Sequence, residues 1–422
     1  MSITSAASSE GLLARFIHRL RGSTAPYLTV ALLTIPLGTI SFYLFGTTPV
    51  LKGQSLGILI PLAGIGLAGI LWLFCRASTR TTLQLAYFGV ALFSLWTFTT
   101  IRSLSFNEPY NYTAWLLPIF IAMVILKPPN RIEILKSADY FVFGLLLIAL
   151  LSHILHVTGI HVFPNYIYPI RYPEIIQTIL PMDSLGLGYR WEGPFGSVSD
   201  AGPMGAFIFV YGIFRTGFTR VIILGGGLFI LVFAFSFSSI FATLAALTFL
   251  VAHMLSKKFP QRKFLLFVSL FGGIFALISV YILIFDRSFN GRIQIWQQYV
   301  SEWPNHLLFG TGSRFISTRT DLFSHDHGHN LYVDTLLRYG AIGFVLFMAV
   351  LVILGRISWK AFRFDSNLPM AILIVFALCV VGESLALWRY NGAVTSWLII
   401  SALIANSDLT NKGQLISATK SP

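Results

Sequence analysis

Charge is what this sequence has least of. Only 11% of its 422 residues are Asp, Glu, Lys or Arg, against 55% hydrophobic, whereas soluble domains carry about 25% charged residues. So few charges cannot cover a water-facing surface. The mean hydropathy of +0.76 excludes a soluble globular domain and a disordered chain alike. Cysteine is nearly absent: Cys75 and Cys379 both lie in apolar segments, which argues against a disulfide framework and fits buried packing thiols. The start, "MSITSAASSEGLLARFIHRLRGSTAP", lacks an apolar core followed by a small-residue cleavage site, so no cleaved leader is expected. Its "GLLARFIHRL" stretch fits either a basic amphipathic helix on an anionic leaflet or a solvated basic tail. No internal repeat or low-complexity segment stands out.

What is abundant is the apolar run. Segments approaching the ~20 residues that cross a bilayer fall at 27–47, 55–75, 82–101, 113–127, 140–160 and 202–216. Others fall at 219–236, 238–255, 263–285, 336–355, 368–388 and 391–406. The expected fold class is all-α: a polytopic integral membrane protein with about 12 transmembrane helices. The organisation reads as a basic N-terminal segment (1–26), a membrane domain (27–406) and a C-terminal tail (407–422). The group 202–255 is the least regular, because its connections are very short.

Positive charge orients this arrangement. With both termini cytoplasmic, the inner segments hold about twice as many Lys and Arg as the outer ones, as the positive-inside rule requires. The outer set departs from the inner in kind: apart from Lys52 it is all Arg, including Arg102, Arg190, Arg292 and Arg338. A topology signal accepts either residue, but Arg is favoured where a planar fork grips phosphate or carboxylate. The outer face therefore reads as a place where an anion is held. Pairing with loop acids such as Glu174, Asp183 and Asp286 is the plainer alternative. Two loops, 161–201 and 286–335, break the pattern of short connections, and both are outside. Connections longer than about 15 residues are usually functional or disordered, and the Pro, Trp, Tyr and Gly content of these two argues against disorder.

The first loop ends "LGYRWEGPFGSVSDAGPMG". Arg190 is followed by Trp191, Glu192, Gly193 and Pro194, a tight backbone whose N–H groups could approach a ligand closely. The second opens "RSFNGRIQIWQQYVSEWPNHLLFGTGS", with Gly291 and Arg292 early and Gly310 and Gly312 late. A lone G-x-G that follows no strand is a weak nucleotide signal, and nothing points to nucleic acid. Next comes "SHDHGHN", with His325, His327 and His329 at alternate positions. In an extended chain these share a face and could approach a zinc ion, although apart from Asp321 no fourth ligand is near. The residues that follow favour another role. Asn330 suits an N-cap, Asp334 suits the first turn, and "LYVDTLLRYGAIGFVLFMAVLVILGR" reads as one long helix. At 1.5 Å per residue, 331–355 would run ~37 Å against a hydrocarbon core of ~30 Å. His329 would then stand at the outer water boundary, where a lipid headgroup lies.

"HN", nine residues, then "GAIG" (His329, Asn330, Gly340, Gly343) resembles the H-N-x9-G-x-x-G pattern of the O-antigen ligase and polymerase superfamily. "NGR…W…P…FGTGS" and "YRWEGPFG" look like that family's other landmarks, in order and on the same side, over roughly residues 160–350. "SVSD" stands where family members often carry an Asn, which leaves Ser199 and Asp200 without an assigned role. The resemblance implies a GT-C-like glycosyltransferase at the periplasmic face of the bacterial inner membrane. It would move glycan from undecaprenyl diphosphate to a sugar hydroxyl of the lipid A-core, or extend one lipid-linked glycan with another. Ligase is preferred on chain length and the scarcity of soluble appendages. His329 would be the base, since imidazole titrates near neutral pH. Arg190 and Arg292 would hold the leaving diphosphate; Arg338, nine residues along the helix from His329, would anchor that helix or, as the second choice, aid the diphosphate. Arginines in that role make the expected reaction independent of metal or other cofactor, and direct attack predicts inversion. Asn330, Gly193, Gly291, Gly310, Gly312, Gly340 and Gly343 support the motif.

Two other classes compete. A transporter would show symmetry or ionisable groups near the midplane, but the spans are almost free of charge. Glu383 lies near an outer end beside Arg389, and His153 and His156 read as packing residues. A metal-dependent hydrolase rests on the three histidines alone. Trp191, Trp296, Trp303 and Tyr332 fit either sugar stacking or the aromatic belt at the membrane boundary.

Overall fold

The computed structural model describes residues 27–34, 54–74, 80–104, 116–158, 168–169, 189–190, 195, 198–234, 236–256, 296–297, 301, 304, 307–311, 330–382 and 392–418. Nearly all of these are helical. After a helical segment at 27–34 come α1 (Gln54–Phe74), α2 (Leu83–Leu104), α3 (Leu116–Leu126) and α4 (Arg131–Val157). A two-residue antiparallel pair, β1 (Tyr168–Pro169) with β2 (Tyr189–Arg190), follows. The chain then forms α5 (Val198–Ile213), α6 (Gly217–Ala234), α7 (Phe237–Ser256), α8 (Leu331–Phe362), α9 (Leu368–Gly382) and α10 (Gly392–Ala418). Each apolar run read as a span overlaps one of these helices, except 263–285, which lies outside the described residues. Among the described residues, four helical stretches are long and apolar enough to cross a membrane: Arg131–Leu155, Gly217–Ala234, Ser238–Leu255 and Leu331–Phe362.

The distribution of side chains is that of a membrane protein. Small polar groups are inside: Ser137, Ser152, Ser239, Thr243, Ser358, Thr395 and Ser401 are all buried. Large apolar groups face out, with Phe218 78%, Val221 65% and Val345 64% exposed. In water such a surface would drive aggregation; in lipid it is the solvated face. Helices then associate through small residues and shape. The α5–α6 hairpin shows how. A Cβ on Gly227 would lie 2.5 Å from the Phe209 nitrogen, and one on Gly205 2.8 Å from the Leu231 nitrogen, so the two backbones touch. The connection is a tight turn at 214–216, where Phe214 N–H donates to Tyr211 O at 3.1 Å. A short loop thus separates two full helices.

α8 is the central helix, packed on α2, α9 and α10, while α7 packs on α5 and α9. Polar contacts tie one end of the bundle. Lys127 Nζ donates to Trp72 O at 2.7 Å, and Trp72 Nε1 to Met123 O at 2.9 Å. Thr82 N–H and Oγ1 both donate to Asn406 Oδ1. Arg131 pairs with Asp408 at 3.4 Å, and Arg215 pairs with Asp139, which also accepts from the Tyr211 hydroxyl at 2.8 Å. α4 starts there through a capping box: Glu133 N–H donates to Asn130 Oδ1 at 3.0 Å and Asn130 N–H to Glu133 Oε2 at 2.9 Å. That sets its start nine residues ahead of the apolar run at 140–160. α10 likewise continues past 406 to Ala418, because Asn406 and Asp408 are buried in these contacts. The opposite end holds the C-terminus of α2 and the N-termini of α5, α7 and α8.

Candidate functional site

At that opposite end, Asn330 caps α8. Its backbone is extended, and its side-chain oxygen accepts from Tyr332 N–H at 2.9 Å and Val333 N–H at 3.1 Å. The cap is the one the sequence calls for, and it commits the Asn330 carbonyl oxygen to the helix. His329, one residue earlier, lies outside the described residues, as do His325 and His327.

The long helix expected from 331 onward is not continuous. Gly340 has φ 65° and ψ −166°, which breaks α8 after its ninth residue. This region is open essentially to glycine alone. A short strap, Leu307–Thr311, fills the break. Thr311 N–H donates to Leu337 O at 2.9 Å, taking the acceptor that Ala341 would use in an unbroken helix. Ala341 N–H donates instead to Leu307 O at 2.8 Å, and Ile342 N–H to Leu308 O at 3.3 Å. The strap thus satisfies the Leu337 carbonyl and the Ala341 and Ile342 amides that the break frees.

Two glycines make this fit possible. A Cβ on Gly340 would meet the Leu308 carbonyl and come within 2.6 Å of the Gly310 nitrogen; one on Gly310 would come within 2.5 Å of the Gly340 nitrogen. Gly310 also has positive φ, 68°. The outer end of α2 closes the assembly: Arg102 Nη2 donates to Gly310 O at 3.0 Å. Gly343, one turn below the break, lets α2 approach, since a Cβ there would crowd Tyr339 and lie 3.4 Å from Phe98. The "FGTG" and "HN…GAIG" segments are thus one interlocked unit.

Asp334 and Arg338 lie one turn apart on the piece of α8 before the break, and both are buried, as is Thr335. Arg338 is therefore a residue of the packed interior, with its backbone against Gly310. Tyr332 is turned inward too, its hydroxyl 3.5 Å from Ala377 O and its ring 5.6 Å from Phe347. It packs between helices. Arg190 sits on β2 opposite Tyr168, and β2 lies against α6. Gly193, Gly291, Arg292 and Gly312 lie outside the described residues.

No known protein-family model matches the chain, and no curated protein is significantly similar to it. Among the described residues no group of three or more His, Cys, Asp or Glu is placed to hold a metal ion; the three histidines are not among them. Of the predicted site residues, Gly310, Arg338, Gly340 and Gly343 lie in or beside the interlock, while Asn330 stands at the start of the same helix, roughly 13 Å along it. Arg102 is the residue that sequence reasoning passed over. It counted only as an outer charge, and no spacing rule links it to a carbonyl 208 positions away.

Proposed function

We propose that the chain is a metal-independent glycosyltransferase of the O-antigen ligase type, built on about 12 membrane spans in the bacterial inner membrane. Its termini are cytoplasmic, and the strap end of α8 faces the periplasm. The observation that carries this reading is the interlock of Gly310 with Gly340 beneath the Asn330 cap. What supports it is that Gly310 and Gly340, both picked out by the family's loose motif, pack backbone against backbone on the helix that begins just after His329.

In this mechanism the donor is a glycan on undecaprenyl diphosphate and the acceptor a sugar hydroxyl of the lipid A-core. His329 removes the proton as the hydroxyl oxygen attacks the anomeric carbon. The bond from that carbon to the diphosphate oxygen breaks on the opposite face, with inversion. Arg190 and Arg292 receive the charge that develops on the lipid diphosphate. Arg338 supports the helix that carries the base, in keeping with its burial.

The same motif serves polymerases, so the deciding experiment separates the two products. Lipopolysaccharide and lipid-linked glycan are analysed from a strain lacking the gene. Loss of O-antigen from lipid A with long lipid-linked polymer accumulating identifies the ligase. Lipid A carrying a single repeat identifies the polymerase. Unchanged glycans in both pools refute the proposal.

A further inference from the structure

The end of α8 remote from the strap carries a second feature, independent of the proposed reaction. From Gly340 to Phe362 the helix rises ~33 Å, about the thickness of a hydrocarbon core. Its last two turns therefore lie at headgroup level in the leaflet opposite the strap. Arg356, Lys360 and Arg363 stand there, all exposed. At 100° per residue they fall within about 60° of one another.

None of the three has an acidic or carbonyl partner among the described residues. The contrast with other cations at this end is direct. Lys127 bonds to Trp72 O, Arg131 pairs with Asp408 and Arg215 with Asp139. Asp365 is the carboxylate nearest in sequence; it adopts φ 68° and faces His253 Nε2 at 3.6 Å. Arg80, Lys136 and Arg220 are exposed too, but Arg80 and Arg220 stand singly, and Lys136 shares α4 only with Arg131, which is paired to Asp408. Among the described residues, only on α8 do three cations form a stripe.

The same face continues upward as an apolar track. Val345, Val352 and Trp359 recur every seven residues, exposed by 64%, 49% and 54%. Trp359 stands at the join, its ring 5.4 Å from Phe362, which is braced in turn by Phe249 at 5.2 Å. An acyl chain fits along the valines, and a phosphate fits the cations below. Charge complementarity selects the headgroup: a net-negative one is drawn to such a cluster, and a zwitterionic one is not.

We propose that Arg356, Trp359, Lys360 and Arg363 form a binding site for an acidic phospholipid, with its phosphate on the cations and one acyl chain along Val352 and Val345.

The test uses the full chain in nanodiscs of zwitterionic lipid doped with phosphatidylglycerol bearing brominated acyl chains, which quench nearby tryptophan. The quenching lost in Trp359→Phe isolates the signal of Trp359. That signal should be quenched several-fold more by brominated phosphatidylglycerol than by brominated phosphatidylcholine of the same chains. The excess should disappear in 0.5 M salt and in R356Q/K360Q/R363Q, and persist in R356K/R363K. Equal quenching by the two lipids in the unaltered protein would overturn the site, whatever the fate of the triple variant. So would an excess that survives in a folded R356Q/K360Q/R363Q protein, because the cations would then not be what holds the lipid.

Discussion

Replacing Gly340 by Ala tests the interlock on which the site is built. The added Cβ would meet the Leu308 carbonyl, and the Gly310 nitrogen at 2.6 Å. These are backbone atoms, so no side-chain rotation relieves the overlap. Holding Ala at φ 65°, ψ −166° costs roughly 1–3 kcal/mol before any overlap is counted. The alternative is for α8 to straighten. Ala341 N–H then regains Leu337 O and Ile342 N–H regains Arg338 O, and the strap is expelled. Expulsion loses the Thr311 N–H bond, worth about 1 kcal/mol, and the charged Arg102 bond to Gly310, worth about 1.5–3 kcal/mol. Either route costs roughly 3 kcal/mol, or about a hundredfold in the equilibrium between closed and open strap.

Amide exchange read by mass spectrometry on the purified protein distinguishes the two routes. Expulsion exposes the Thr311 amide while those of Ala341 and Ile342 stay protected. Gly355→Ala in the same helix is the control: its Cβ meets only Leu373 Cδ2 at 3.7 Å, and stability should change by no more than about 0.5 kcal/mol. Unchanged protection of 307–311 in Gly340→Ala would refute the interlock.

Arg102→Ala should raise exchange at Thr311 in the same direction by less, about tenfold, with Arg102→Lys in between; equal exchange in all three proteins would remove Arg102 from the assembly. Gly227→Val should destabilise the α5–α6 hairpin by at least 1–3 kcal/mol, read as a lowered thermal midpoint in detergent, because the new side chain enters a backbone contact. Glycan transfer should be unaffected by saturating chelator, since no step is routed through a metal; loss of activity on chelation with recovery on adding zinc would return the three histidines to a metal role.

Much of this was legible in the sequence, for identifiable reasons. Apolar runs gave the helices, because the bilayer imposes one length scale on them. The Asn330 cap was legible because its signal is local: a capping residue directly before a helical pattern. The start of α4 had an equally local signal, Asn130 with Glu133, but the hydropathy of 140–160 masked it. The break at Gly340 was misread as continuous helix, since "RYGAIGF" has good helical periodicity and one glycine is tolerated in a helix. Only the strap, 30 residues upstream in sequence, makes the break the better state. Arg102 was illegible as a site residue for the same reason. Contacts between distant segments leave no trace in spacing, and Arg at a span end has a sufficient topological explanation. The partly inward turn of Tyr332 was illegible too, since it depends on a backbone carbonyl of α9, 3.5 Å from its hydroxyl and 45 positions away.

The most direct measurement is transfer in a defined system. Purified protein in liposomes is given undecaprenyl-diphosphate-linked glycan and lipid A-core, and product glycolipid and free undecaprenyl diphosphate are quantified together. The expected result is equal release of both in chelator, abolished by His329→Ala at equal folded protein. No product from the unaltered protein, or full product from His329→Ala, would contradict a histidine-driven transfer at the strap end of α8.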